Sequence, residues 1–159
     1  MARISAGLLM YRRRAGGLEV FLAHPGGPLF SSKDDGHWTV PKGEIGPNEE
    51  LLAAAIREFE EEVGIKPQGP YLKLGTVVQK GGKLVHAWAF EGDWDAAQPL
   101  KSSPFSLEWP PRSGRFQDFA EIDRAEFFSL AAARRKLKEA QHPFLDRLEA
   151  ALAGHQRGT

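Results

Sequence analysis

Three glutamates in one short stretch, Glu58, Glu61 and Glu62, carry the densest candidate chemistry in the chain. In a helix their i, i+3 and i+4 spacing puts them on one face, within about 100° of arc. Like charges at that spacing repel by on the order of a few tenths of a kcal/mol per pair. A divalent cation would reverse the sign of that interaction. Carboxylate oxygens are hard ligands, so the set favours Mg²⁺, with Mn²⁺ as the alternative, over zinc. Arg57, four residues before Glu61, can hold that carboxylate as an ion pair. Taken alone, a glutamate-rich helix face is more often a solvated surface.

The helix that must carry these residues is legible. It opens at Pro47 or Asn48, runs to Val63, and stops at Gly64 with Pro67 just beyond. Leu52, Ala55, Ile56, Phe59 and Val63 form its apolar stripe, beside the acidic face. Before it, residues 4–11 and 18–24 read as strands joined by a turn at residues 12–17, which contains Arg12, Arg13 and Arg14. Residues 25–36 are a loop, and Trp38-Thr39-Val40 is a short extended piece. Residues 71–79 and 83–91 suggest a second hairpin around Gly81-Gly82. Residues 93–114 read as a long loop with a short strand near 105–109, a length that in compact domains tends to be functional. Phe127-Phe128 ends a strand. Helices follow over 131–140 and 144–152, with Pro143 breaking the pattern between them and Gly154 onward fraying. Mixed strands with a central helix and C-terminal helices imply an α/β sandwich.

The bulk properties narrow the function. A chain of 159 residues fits one domain, 1–159, with a core of its own. Basic and acidic residues number 21 each, so the formal charge is zero. That balance gives no general pull toward nucleic acid or membrane, and any polyphosphate must be held by local groups or a metal. There is no cysteine, which excludes disulfides and thiolate metal sites. No apolar run approaches the roughly 20 residues a membrane helix needs. The apolar start is read as a strand and not a signal peptide, which makes cytoplasm the default.

The whole segment over residues 43–65, GEIGPNEELLAAAIREFEEEVGI, resembles the Nudix box, G-x5-E-x7-R-E-U-x-E-E-x-G-U with U apolar. Gly43, Glu49, Arg57, Glu58, Glu61, Glu62 and Gly64 occupy its seven fixed positions, and Phe59 and Ile65 its two apolar ones. The resemblance implies a Nudix-type α/β/α sandwich with a mixed central sheet, and a Mg²⁺-dependent hydrolase that cuts a pyrophosphate linkage. It implies that Glu58, Glu61, Glu62 and the backbone carbonyl of Gly43 hold the metal. Arg57 would orient a glutamate, and Glu49 would support the loop or contact the metal through water. Family members often use a further glutamate outside the box as base or extra ligand. Glu121, in FAEIDRAEFF, resembles it most, and Glu108, in LEWPP, is the alternative.

Less follows about the substrate. The lead-in WTVPKG is similar to that of diadenosine polyphosphate hydrolases, which would set the Lys42 ammonium against a phosphate. The wider sequence resembles bacterial Nudix proteins described as NTP pyrophosphohydrolases. Among the aromatics near loops, Phe105, Trp109 and Phe116 are candidates to stack on a base. Trp38 is assigned to the core, His37 is a loop aromatic, and His86 is a satisfied strand histidine. Arg112 and Arg115 could close over phosphates as a lid, and Arg12–Arg14 read as a solvated turn. The leading reading is a hydrolase of nucleoside or dinucleoside polyphosphates, as a monomer or homodimer. The alternatives are a pyrophosphohydrolase of capped or triphosphorylated RNA ends and a non-catalytic nucleotide-binding sensor, although an intact box is not what a sensor needs.

Overall fold

The apolar run from Ser5 to Tyr11 is buried throughout, as expected of a strand covered on both sides. The computed structural model describes residues 3–95, 98 and 100–157. Strand β1 (Ile4–Arg14) pairs antiparallel with β2 (Gly17–Pro25) across a two-residue turn at Ala15 and Gly16. This turn is tighter than the one expected at residues 12–17. Arg12 stays in the ladder opposite Glu19, and Asp93 accepts hydrogen bonds from both Arg12 and Arg14. Those partners keep the arginines extended.

The other elements are β3 (Lys42–Glu44), α1 (Leu51–Val63), β4 (Leu72–Val78), β5 (Leu84–Glu91), β6 (Pro104–Glu108), β7 (Phe116–Ala120), β8 (Ile122–Ser129), α2 (Leu130–Lys136) and α3 (His142–Arg157). A single 3-10 turn, Glu139–Gln141, joins the last two helices. The main sheet has the order β4-β5-β1-β2-β8, and β3 also pairs with β1. Strands β1 and β5 are parallel and the other pairs antiparallel, so the sheet is mixed. Strand alternation sends Leu9, Tyr11, Val20 and Leu22 to one face, packed with Phe144, Leu145 and Leu148 of α3. Ala6, Leu8, Met10, Phe21 and Ala23 face the other way, against Ala54, Ala55, Phe59 and Val63 of α1. The result is the α/β/α sandwich. Among the described residues no helix is long and apolar enough to cross a membrane.

Several boundaries depart from the sequence reading. Helix α1 starts at Leu51, because Asn48 has φ +60° and cannot lie in a right-handed helix. It ends as expected: Gly64 takes the left-handed conformation and its N–H donates to the Glu60 carbonyl at 2.8 Å. The loop expected over 93–114 includes residues 96, 97 and 99, which lie outside the described residues. It contains β6, and β6 pairs with an unforeseen strand, β7. Helix α2 stops at Lys136, because Leu137 returns to extended backbone and packs in the core. Pro143 does not interrupt α3. It sits in the first turn, where a missing N–H costs no hydrogen bond. The helix runs past Gly154 to Arg157.

Phe59 is fully buried and meets Phe21 and Phe90. Phe59→Ala should therefore lower the stability measured by denaturant unfolding by about 3–5 kcal/mol. A loss below about 1 kcal/mol would contradict this packing.

Candidate active site

Arg57 organises one half of the acidic cluster. Its Nε and Nη2 donate to the two Glu49 oxygens, each at 2.8 Å, in a fork. Its Nη1 donates to Glu58 at 2.8 Å and to Glu61 at 3.0 Å. Glu49 also accepts from the Gly46 N–H at 2.8 Å. Arg57 and that N–H together hold the Glu49 carboxyl down at about 2. Glu58 shifts the other way: burial raises it, and Arg57 only partly offsets this. Its carboxylate lies against Gly43 on β3, so closely that a Cβ there would fall inside it. A larger residue at position 43 would displace the Glu58 carboxylate from this seat.

Glu62 forms the other half. The sequence reading placed it on an exposed face, yet only 8% of it is exposed. The helix wheel puts position 62 at the margin of the buried stripe, and β8 covers it. Burial raises its carboxyl well above the usual range, and a hydrogen bond and repulsion from Glu121 raise it further, as does Glu58. Glu121 lies at the junction of β7 and β8, held there by backbone bonds from its N–H to Ser103 at 2.9 Å and from Gly26 N–H to its carbonyl at 2.8 Å.

Glu62 and Glu121 line a cleft of about 300 Å³ at the end of the sheet where β2 finishes and β8 begins. Lys42, Lys138, Phe30 and Phe105 line it too. Burial depresses the Lys42 ammonium, Lys83 and Lys138 depress it further, and Glu62 opposes them. A larger cleft of about 580 Å³ is lined by Arg12, Arg14, Asp93 and Trp94 but by none of the α1 carboxylates, and Asp93 already occupies both arginines.

The structure therefore brings together Gly43, Arg57, Glu58, Glu61, Glu62, Glu121, Lys42 and Phe105. Glu108, Trp109, Arg112 and Arg115 are not among the cleft's lining residues. The pairing of β6 with β7 puts Pro104 opposite Ala120 at the cleft end and Glu108 opposite Phe116 at the far end. Four residue steps separate the ends, about 13 Å of strand. The turn that holds Trp109, Arg112 and Arg115 lies at that far end, where Glu108 accepts the Arg112 N–H at 3.0 Å. The expected lid is thus a hairpin tip, and Phe116 is exposed beside it. Trp38 is core as expected, with its Nε1–H donated to Asp34 at 2.8 Å. His37 sits in the loop against the Asp35 carbonyl, and His86 bonds Thr76 at 2.8 Å. Phe30, Lys83 and Lys138 were not singled out in the sequence. Lys83 and Lys138 fall in segments read as a strand and a helix and Phe30 in a loop, and only tertiary contact relates them to Lys42.

Among the described residues, no three acidic or histidine side chains form a ready metal cage. Glu61 is turned onto Arg57, and Glu62 is bound to Glu121. The donor set nevertheless fits a hard divalent cation. It is all oxygen, and its carboxylates lie close enough to repel one another, which helps raise Glu58 and Glu62. The Gly43 cradle brings backbone beside Glu58.

Residues 1–148 match the NUDIX domain family. The chain is 31% identical over 122 residues to the pig asymmetrical bis(5'-nucleosyl)-tetraphosphatase, covering 69% of this chain and 79% of that one. It is 44% identical over 61 residues to the Caenorhabditis elegans enzyme of the same name, covering 38% of this chain and 40% of the relative, so the match spans less than half of that protein. In structure it is similar to a C. elegans Ap4A hydrolase binary complex, with a TM-score of 0.67, 26% identity, and coverage of 94% and 98% of the two chains.

The close seat of Glu58 on Gly43 predicts that Gly43→Ala forces the Glu58 carboxylate to move and destabilises the fold by up to about 1 kcal/mol, the low end of overpacking costs because the neighbour ends a flexible side chain. Gly46→Ala, whose Cβ would meet Glu49 Oε1 at 3.2 Å, should cost less. Thermal melting distinguishes them, and equal midpoints would show that the seat is not tight.

Proposed function

The chain belongs to the Nudix family, and on that premise we propose that it is a magnesium-dependent pyrophosphohydrolase acting on dinucleoside polyphosphates. The observation that carries this reading is one cleft lined by an acidic pair, Glu62 and Glu121, and by the ammonium groups of Lys42 and Lys138. Acids and bases so placed suit a polyphosphate and the cation that accompanies it. The asymmetrical tetraphosphatases and the Ap4A hydrolase among its relatives support the dinucleoside substrate. The single domain is read as spanning residues 1–159.

Glu58, Glu61 and Glu62, with the Gly43 carbonyl, would hold Mg²⁺, with Mn²⁺ as substitute. When bound, the ion supplies charge neutralisation to the phosphates and makes water more acidic. Arg57 orients Glu58 and Glu61 through its Nη1 and fixes Glu49 with its remaining donors. Glu121 accepts the proton of the attacking water, and its carboxylate is placed for this by the Glu62 contact. Lys42 faces a non-reacting phosphate and stabilises its charge. Phe105 offers a ring on which a base can stack. The reading omits Trp109, Arg112 and Arg115 from the substrate site, and it leaves Glu108 outside the chemistry.

The test measures product release with Mg²⁺ from diadenosine tetraphosphate, the common NTPs, ADP-ribose, a nucleotide sugar and 5'-triphosphate RNA. Diadenosine tetraphosphate should be cut best. Glu61→Gln should remove most turnover, and Glu121→Gln should lower kcat about a hundredfold or more with KM little changed. Near-normal activity in Glu61→Gln would refute the metal assignment. No product from any compound, with folded protein and bound Mg²⁺, would favour the nucleotide-binding sensor instead.

A further inference from the structure

Gln141 is fully buried, and its side chain makes every hydrogen bond it can reach in three directions. Its Oε1 accepts from the Val40 N–H at 2.9 Å. Its Nε2 donates to Thr39 Oγ1 at 2.9 Å and to Gln79 Oε1 at 2.7 Å. Each partner lies beside a segment that presents a lysine. Val40 leads through Pro41 into Lys42. Gln79 opens the turn closed by its own N–H to the Lys83 carbonyl at 2.7 Å. Gln141 itself closes the turn that begins at Lys138, with its N–H on the Lys138 carbonyl at 3.0 Å. A further bond, from Lys138 N–H to the Trp38 carbonyl at 2.9 Å, ties the third segment to the first.

Lys42 and Lys138 line one cleft, and the Lys83 turn is tied to the same hub through Gln79. Among the described residues none of the three forms an ion pair with a carboxylate. Half-buried ammonium groups that face one another with no carboxylate at ion-pair distance are unfavourable in the free protein, and Glu62 offsets this only in part at Lys42. A rigid, fully bonded hub that holds them in place implies an anion that reverses the repulsion. Lys42 and Lys138 line the cleft that also contains Glu62 and Glu121, so the anion enters from that side.

We infer that Lys138 is a phosphate-binding residue that selects long polyphosphate chains, and that Gln141 is the positioning residue that registers it against Lys42. A chain of three or more phosphates carries enough charge to occupy the lysine cluster. A diphosphate diester carries fewer charges and leaves ammonium groups unsatisfied. This rests on the polyphosphate reading above and adds to it a basis for chain-length selection.

The experiment is calorimetric titration of the intact protein with inorganic tripolyphosphate and inorganic pyrophosphate in magnesium-free buffer, so that binding is read without turnover. Wild type should prefer tripolyphosphate. Lys138→Ala should weaken tripolyphosphate about tenfold, the loss expected for one charge-assisted contact, and pyrophosphate less. Lys138→Arg should restore most of the affinity. Gln141→Leu should reproduce the loss although Lys138 is still present. If that variant does not fold, Lys138→Ala alone decides. With diadenosine tetraphosphate, Lys138→Ala should raise KM and leave kcat near wild type. Tripolyphosphate binding by Lys138→Ala within about twofold of wild type, or no preference in wild type, would overturn the inference. Hydrolysis of diadenosine tetraphosphate with no such preference defeats this inference and leaves the proposed function standing. The preference without hydrolysis of any compound does the reverse.

Discussion

One guanidinium makes the acidic cluster possible. Glu49, Glu58 and Glu61 would repel one another, and Arg57 bonds all three at 2.8–3.0 Å. Lysine could not replace it, because the fork that meets both Glu49 oxygens needs planar, diverging donors. With 37% of its side chain exposed, Arg57 is screened by solvent, and its contribution to stability is modest. Its contribution to geometry is larger. It holds the loop before α1 to the helix through Glu49. It also sets Glu58 against Gly43, and so fixes the distance between β3 and α1.

Glu62 is on the same helix but obeys a different constraint. It has no arginine, and it is buried beside Glu121. Burial and the neighbouring Glu121 raise its carboxyl, and Lys42 offsets this only in part. The helix therefore carries two acids orientated by a guanidinium, Glu58 and Glu61, and a third, Glu62, in a buried setting that disfavours its charged form. Both settings arise from one run of sequence because successive positions on a helix face different surroundings.

The parts of this arrangement that lie within one element were legible. The spacing of residues 57–62 located the acids, and Gly64 marked the helix end because the left-handed conformation there favours glycine. The buried run at residues 5–11 marked the central strand. What depended on distant contact was hidden. The exposed strand β7 has no apolar alternation to read, and its register with β6 moved Arg112 and Arg115 away from the acids. Glu62 is hidden because its neighbour Glu121, at the β7–β8 junction, stands about 60 residues later in the chain. Asn48 looked like a helix start by residue type, and a positive φ placed it outside.

The zero net charge conceals a sharp separation. Acids from α1 and the β7–β8 junction meet lysines from β3 and from the turn before α3 in one cleft at the sheet end. A polyphosphate with its cation, the ligand proposed above, needs both signs within a few ångströms. Isolated, the acids would bind a cation and the lysines an anion. Side by side they suit a ligand that contains both, as in the function proposed above. The central strand makes this possible without contributing a charged group. β1 bonds β3 on its own ladder, and the Leu8 N–H donates to the Pro41 carbonyl at 3.2 Å, so Lys42 and Gly43 are held to the same strand whose even-numbered side chains pack on α1.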